Sequence, residues 1–149
     1  MWKLPVSERL SRWRDFRKQL NELSLESAIL ETEQFWRTCP FIPYYLDSDS
    51  PKTWPNPWQL LEENFYCDLA KTLGIVYTLS LTEHRHNTTF EIRIYYDPIS
   101  RVTYNLAWIN QGKYVLNFVD GEIVNNTSID KKLKLRHRWT AGDLNLEQY

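Results

Sequence analysis

A proline-rich segment constrains the fold of this chain more than any other feature of its sequence. Five of the seven prolines lie in CPFIPYYLDSDSPKTWPNP, residues 39–57. Because proline lacks a backbone N–H and fixes φ, neither a helix nor a central strand can continue through such a segment. The sequence therefore predicts a long loop, and ordered loops of this length are usually functional. We expect its rings either to bind a partner or to cover the domain's own core: Phe41, Tyr44, Tyr45 and Trp54.

Residues 1–38, which precede this loop, are predicted to form a helical hairpin. Ser7 is suited to cap a first helix, whose apolar residues recur at three- and four-residue spacing: Leu10, Trp13, Phe16 and Leu20. Arg12, Arg14 and Lys18 lie off this stripe, so the helix is predicted to present a basic face to a partner. Ser24 is suited to cap the second helix.

The region after the loop is predicted to contain one helix followed by strands. Asn56 and Pro57 predict the start of a helix over residues 57–73, with Gly74 as its stop. From residue 75 to 139 apolar residues recur mainly with a period of two, and turn signals at 97–100, 110–112 and 120–121 divide them into antiparallel strands. Residues 140–149 are expected to form a tail. This order predicts one α+β domain over 1–149, with N-terminal helices packed on one face of an antiparallel β-meander sheet.

The composition narrows the classes of protein to which the chain can belong. No apolar run approaches the roughly 20 residues needed to span a bilayer, and the N-terminal MWKLPVSERLSRWRDF has no apolar signal region. With only two cysteines, a reduced compartment is expected, so we predict a soluble cytoplasmic protein without a membrane partner. Aromatic residues make up 15% of the chain, more than one core of this size needs. Other protein chains, in a homo- or hetero-oligomeric assembly, are therefore the expected partners of a non-enzymatic interaction module.

Charge is segregated along the chain although the net charge is only −1. Residues 1–18 carry six basic and two acidic side chains, and residues 19–73 carry three and nine. Five cations then cluster near the C-terminus: Lys131, Lys132, Lys134, Arg136 and Arg138. These could contact phosphates, which makes nucleic-acid binding a second alternative. A pI of about 6.3 argues against it, because a dedicated binder is usually strongly basic.

One catalytic alternative uses a cysteine nucleophile. Cys67 is followed by His84 or His86 and then by Asp97 or Asp120, the chain order of transglutaminase-like and papain-like cysteine hydrolases. In the predicted helix 57–73, however, Cys67 lies about ten residues from the N-terminus, where the helix dipole would not stabilise a thiolate. The residue is also predicted to point away from the apolar stripe, beside Lys71.

Metal and cofactor sites are not expected. His84 and His86 could form a three-ligand zinc site together with a cysteine thiolate. Neither cysteine, however, has a Cys or His companion at zinc-motif spacing. With four glycines in the chain and no glycine-rich phosphate loop, the sequence predicts no nucleotide cofactor.

Two segments carry a resemblance to a group of viral proteins. WPNPWQLLEENFYCDLAKTLGIVYTLSLTEH, residues 54–84, and GKYVLNF, residues 112–118, resemble segments of small proteins of tailed bacteriophages, especially T4-like phages of cyanobacteria. The resemblance covers about a third of the chain and includes no motif of known chemistry. It implies an accessory protein or a neck, tail or baseplate component of the virion, found in the host cytoplasm or the particle and acting through protein contacts.

Overall fold

Helices precede an antiparallel sheet, as the sequence predicts, and the α+β class is confirmed. The computed structural model describes residues 1–149. Its helices are α1 (Val6–Leu20), α2 (Leu25–Trp36), α3 (Pro57–Glu63) and α4 (Asp68–Ser80). Its strands are β1 (Phe90–Tyr96), β2 (Thr103–Ile109), β3 (Tyr114–Leu116) and β4 (Lys134–Thr140). None of the helices combines the length and the apolar character needed to cross a membrane.

The sheet has the strand order β3-β2-β1-β4. β1, β2 and β3 form the predicted meander, whereas β4 returns to pair with β1 on its other side. α4 lies against β1 and β2, and α2 and α3 pack on α4. The main core therefore fills the space between the helices and one face of the sheet.

The helix predicted over residues 57–73 is two helices. Asn56 starts α3 as expected: its side chain accepts the Gln59 N–H, while the Gln59 side chain accepts the Asn56 N–H. Asn64 then adopts a left-handed conformation with φ 57° and ends α3 after seven residues. Such a local stop is not visible in an apolar pattern that continues through it.

The strand predicted at 75–81 is also wrong, because these residues belong to α4 and its C-terminal end. Eleven of the thirteen residues of α4 are buried, so the helix has almost no side that faces solvent. A helix of this kind lacks an amphipathic period and cannot be told from a buried strand by its apolar pattern.

Gly74 lies in the middle of α4 and is a packing site, not the predicted helix stop. A Cβ atom at this position would lie 2.5 Å from Cη2 of Trp36. The Nε1 atoms of Trp13 and Trp36 both donate to Oγ1 of Thr78, at 3.0 and 2.9 Å. That hydroxyl donates in turn to the Gly74 carbonyl at 2.7 Å. The three helices α1, α2 and α4 thus meet at one hydroxyl whose hydrogen bonds are made within the core.

Two expectations for the C-terminal half also need correction. Residues 140–149 are not a tail, since Leu144 and Leu146 are buried in the main core and Tyr149 packs edge-on against Trp58 and Tyr77. The hairpin expected at 120–121 is reduced to a single bridge between Val115 and Val124. The segment that follows β3 instead covers the second face of the sheet.

The second face has a small core of its own. Leu106, Trp108 and Val115 are buried there, and three side chains from the segment after β3 pack on them: Phe118, Val124 and Ile129. This packing follows from strand alternation, because neighbouring residues of β2 point to opposite faces and both faces carry apolar side chains.

Candidate interaction surfaces

The residues of the catalytic alternative are not brought together. The sequence predicts that Cys67 lies inside a helix. In the structure it directly precedes α4, at the N-terminal end of that helix. His84 and His86 follow the C-terminus of the same helix, and its thirteen residues place the two ends about 20 Å apart. A cysteine–histidine pair requires hydrogen-bond reach, so the geometry provides no activated nucleophile. Cys67 is also buried, not exposed as predicted.

The histidines and Asp97 have other local partners. Nε2 of His84 lies 2.8 Å from the Leu20 carbonyl, and Nε2 of His86 pairs with Glu83 at 3.1 Å. Asp97 accepts the Ile99 N–H in the turn after β1, and hydrogen bonds to Ile99 and Ser100 lower the pKa of its carboxyl group. Each contact stabilises a turn or a helix end.

The second cysteine is also unsuited to nucleophilic chemistry. Burial raises the pKa of the Cys39 thiol to about 11, and the nearby positive charge of Lys71 offsets only part of this rise. At neutral pH the side chain is therefore a thiol. No three side chains among His, Cys, Asp and Glu are arranged to hold a metal ion.

The aromatic loop 39–57 divides into a buried and an exposed half. Trp54 is buried, donates from Nε1 to the Asp47 carbonyl at 2.7 Å and meets the ring of Trp139 edge-on. Tyr45 is half-buried and packs edge-on against Phe65 at 4.8 Å between ring centroids. Phe41 and Tyr44, in contrast, are 69% and 74% exposed. Of the four predicted contact residues, Trp54 therefore covers the core, and Tyr45 is partly covered by Phe65. Phe41 and Tyr44 lie open to solvent.

The backbone around Phe41 is fixed although its side chain is exposed. Phe41 and Tyr66 form a parallel bridge, in which the Tyr66 N–H donates to the Pro40 carbonyl at 2.9 Å and the Ile42 N–H donates to the Tyr66 carbonyl at 3.1 Å. Pro40 and Pro43 restrict φ on either side. The loop therefore presents this ring from an ordered main chain.

A cavity of about 380 Å³ opens beside Tyr44. Its lining includes Tyr45, Trp54, Asp47 and Glu63, but no Lys, Arg or His. Partial burial raises the pKa of Glu63, and this carboxylate has no hydrogen-bonding or ionic partner within the chain. Asp47 is more constrained, because its two oxygens accept from the Asp49 N–H and the Ser50 hydroxyl. The cavity thus combines aromatic walls with negative charge.

The predicted basic residues of α1 are exposed, as expected. Arg12 and Lys18 form no ion pair, and Arg14 lies 3.9 Å from Asp15. Sequence reasoning missed the structural role of a fourth cation: Arg9 is buried and donates to the carbonyls of Leu4, Leu61 and Glu62. It thereby satisfies the C-terminal end of α3, and no local sequence signal identifies such a long-range contact.

A second cavity was not expected from the sequence. It has a volume of about 570 Å³ and is lined by residues from the end of α4, the start of β1 and the C-terminal segment, including Arg85, His86, Phe90, Leu146 and Tyr149. The cavity exists because the C-terminal segment folds back onto the core. Its charged lining is mixed, since it includes Glu91 and Glu147 as well as Arg85 and His86.

Comparisons with protein-family models, curated proteins and solved structures find no match to this chain. Its function is therefore inferred from the geometry of these surfaces.

Proposed function

We propose that this chain is a non-enzymatic interaction module that binds a basic segment of another protein chain at the loop surface. The loop surface comprises the exposed rings of Phe41 and Tyr44 together with the cavity beside Tyr44. The observation that carries the proposal is an exposed aromatic side chain, Phe41, on a backbone held by two hydrogen bonds to Tyr66. A ring presented in this way offers contact area without an additional cost in ordering the loop.

The charge of the cavity defines the chemistry of the partner. Asp47 and Glu63 lie among aromatic walls that contain no cation, so an Arg or Lys side chain complements the site. The raised pKa of Glu63 supports the same inference, because a cation would remove the penalty of keeping this carboxylate charged. The exposed ring of Tyr44 can add a cation–π contact with the same side chain. We therefore expect a ligand with one basic residue next to an apolar residue that covers Phe41.

The biological setting of the proposal follows from the resemblance of residues 54–84 and 112–118 to proteins of tailed bacteriophages. A small module with a pre-ordered docking loop suits assembly of a neck, tail or baseplate. In that setting the partner is another chain of the particle or an assembly factor. The basic face of α1 supplies a second surface of opposite charge for the same assembly.

Selection of peptides from a random display library tests the loop surface, because a library of this kind requires no identified partner. We expect the selected peptides to be enriched in Arg or Lys beside an apolar residue. Tyr44→Ala should weaken their binding at least tenfold, about 1.4 kcal/mol, and Glu63→Gln should weaken it severalfold. Ile99→Ala is the matched control, since Ile99 is 81% exposed on a turn outside the loop surface.

Two results would contradict this proposal. Selection of peptides without basic residues would show that the negative charge of the cavity does not choose the ligand, and undiminished binding to Tyr44→Ala would place the ligand elsewhere. Light scattering on the unliganded chain adds an independent measurement: self-association abolished by Tyr44→Ala would identify a second copy of the chain as the occupant of this surface.

A further inference from the structure

The two edges of the sheet differ in whether their outward backbone groups are hydrogen-bonded. At the β3 edge the Val115 N–H donates to the Val124 carbonyl at 2.7 Å, and the Val124 N–H donates back to Val115 at 3.0 Å. This pair occupies the outward side of a strand of only three residues. At the other edge, β4 is seven residues long, and outside its ladder with β1 the backbone of residues 134–139 forms no hydrogen bond to the rest of the chain. An edge of this kind offers unpaired donors and acceptors to another strand.

Side chains hold β4 in place from the helical face. His137 pairs with Asp49 at 2.5 Å, and Nε1 of Trp139 donates to the Ser48 carbonyl at 3.2 Å. Neither contact uses the backbone of β4. The strand is therefore ordered while its outward edge stays open.

The open edge is strongly basic. Between residues 129 and 140 there are five cations and one acidic residue, Asp130. Lys131 and Lys134 are exposed and form no ion pair. Arg136 is exposed and its guanidinium lies 4.0 Å from the centroid of the Tyr96 ring, whereas Arg138 is paired with Glu91 at 2.6 Å. Positive charge is thus only partly compensated within the chain.

We propose that the free edge of β4 binds an acidic, extended segment of a partner protein as an added strand. Main-chain hydrogen bonds to the edge would supply affinity, and carboxylates facing Lys134 and Arg136 would supply specificity. A second copy of β4 is not the occupant, because pairing two such strands would place like charges opposite one another. The N–H and C=O groups of Thr140 already bond to Asp143 and Leu144, so the edge available for pairing is Lys134–Trp139, with a bulge at Arg136 where the register shifts between Ile94 and Tyr95. No residue of this edge lines the loop cavity, although Trp139 packs against Trp54 beneath it.

Amide hydrogen exchange measured by NMR tests the added strand directly. The probe is a synthetic peptide of alternating Glu and Val residues, and its control is the same peptide with alternate N-methylated amides, which cannot complete the ladder. At saturation the first peptide should slow exchange of outward-facing N–H groups within Lys134–Trp139 at least tenfold, and the N-methylated peptide should not. A peptide of alternating Lys and Val residues should not bind.

Charge reversal supplies the second measurement. Lys134→Glu should weaken binding of the Glu-Val peptide at least fivefold, and Lys3→Glu should leave it unchanged, since Lys3 is also exposed but precedes α1, outside the sheet. Circular dichroism melting confirms that each variant is folded. Equal binding of the N-methylated peptide, or tighter binding of a single-stranded oligothymidylate at physiological salt, would overturn the proposal in favour of a purely electrostatic surface.

Discussion

The tryptophans of α1 and α2 and the aromatic residues of loop 39–57 are the same class of side chain in opposite environments. Trp13 and Trp36 are fully buried, and each N–H finds the Oγ1 atom of Thr78 inside the core. Phe41 and Tyr44 are exposed on a loop whose main chain is anchored to Tyr66. Aromatic content alone therefore does not reveal a binding surface. Trp13 and Trp36 are buried where the fold supplies both space and an acceptor for each indole N–H.

The strongest test of the buried region is Gly74→Ala. The new Cβ would lie 2.5 to 2.6 Å from three atoms of the Trp36 ring, and a fully buried indole has no room to withdraw. We expect the free energy of unfolding to fall by about 3 kcal/mol, the upper end for an overpacked core. Urea denaturation measures the change. Gly142→Ala is the control, because a Cβ there meets only Oγ1 of Thr140 at 3.7 Å; equal losses for both variants would show that helix packing at Trp36 is not the constraint.

Trp54→Ala separates the two halves of the loop. Because Trp54 is buried against Trp139, its truncation should lower the free energy of unfolding by about 3 kcal/mol. Tyr44→Ala in the same loop should change it by less than about 0.5 kcal/mol, as for an exposed side chain. Thermal and urea denaturation of both variants measure the contrast. A large stability loss in Tyr44→Ala would mean that the exposed half also covers the core, and the proposed binding surface would lose its basis.

Thr78→Val examines the hydroxyl that the two tryptophans share. The change preserves shape but leaves two buried indole N–H groups without an acceptor, so we expect a loss of about 2 kcal/mol. Thr78→Ser keeps the acceptor and should lose about half as much, through the missing methyl group. If valine proves as stable as threonine, the hydroxyl does not explain why these rings are buried.

The smallest effect concerns Glu91, which helps to hold Arg93 over the Trp108 ring at 4.2 Å. Partial burial alone would raise the pKa of Glu91, but hydrogen bonds from Arg138 and Arg93 outweigh it and lower the pKa. The contacts of Glu91 with Arg138 and Arg93 therefore stabilise the fold at pH values above the pKa that Glu91 has in the unfolded chain. This stabilisation is lost as the pH falls through the lower pKa of Glu91 in the folded chain.

Glu91→Gln should accordingly reduce stability at pH 7 by only about 0.5 kcal/mol, because solvent screens the pair. The same change should flatten the decline in melting temperature between neutral and acidic pH. Melting curves of the variant and the original chain across that range provide the measurement. Identical pH slopes would show that this carboxylate does not contribute to acid sensitivity.

Local signals in the sequence identified those parts of the fold that depend on neighbouring residues. Ser24 accepts the Ser27 N–H at the start of α2, and Asn56 and Gln59 form the capping box of α3. Glu91 and Arg93 alternate with buried residues along β1. In each case the physical cause is a hydrogen bond or a period within a few residues. The first helix is an exception, since it begins at Val6 without a side-chain cap and not at Ser7.

The candidate surfaces could be predicted only in part. Proline content marked the loop, and the charges of α1 were correctly expected at the surface. Exposure of Phe41 and burial of Trp54 could not be separated, because both are aromatic residues in the same proline-rich context. The distinction arises from Trp139, which lies 85 positions further along the chain and packs against Trp54.

The sequence by itself determined the α+β class, the caps of α2 and α3, and the loop between them, since these depend on short-range chemistry. Tertiary structure decided where α3 ends, why α4 is a helix, and what the C-terminal segment contacts. It also decided that Arg9 would serve a helix end 52 residues away, at the Leu61 carbonyl. The physical reason is that burial and hydrogen-bond satisfaction are properties of groups brought together in space. Apolar residues continue through the end of α3 and around most of α4. The local sequence pattern there does not show which groups will be buried or hydrogen-bonded.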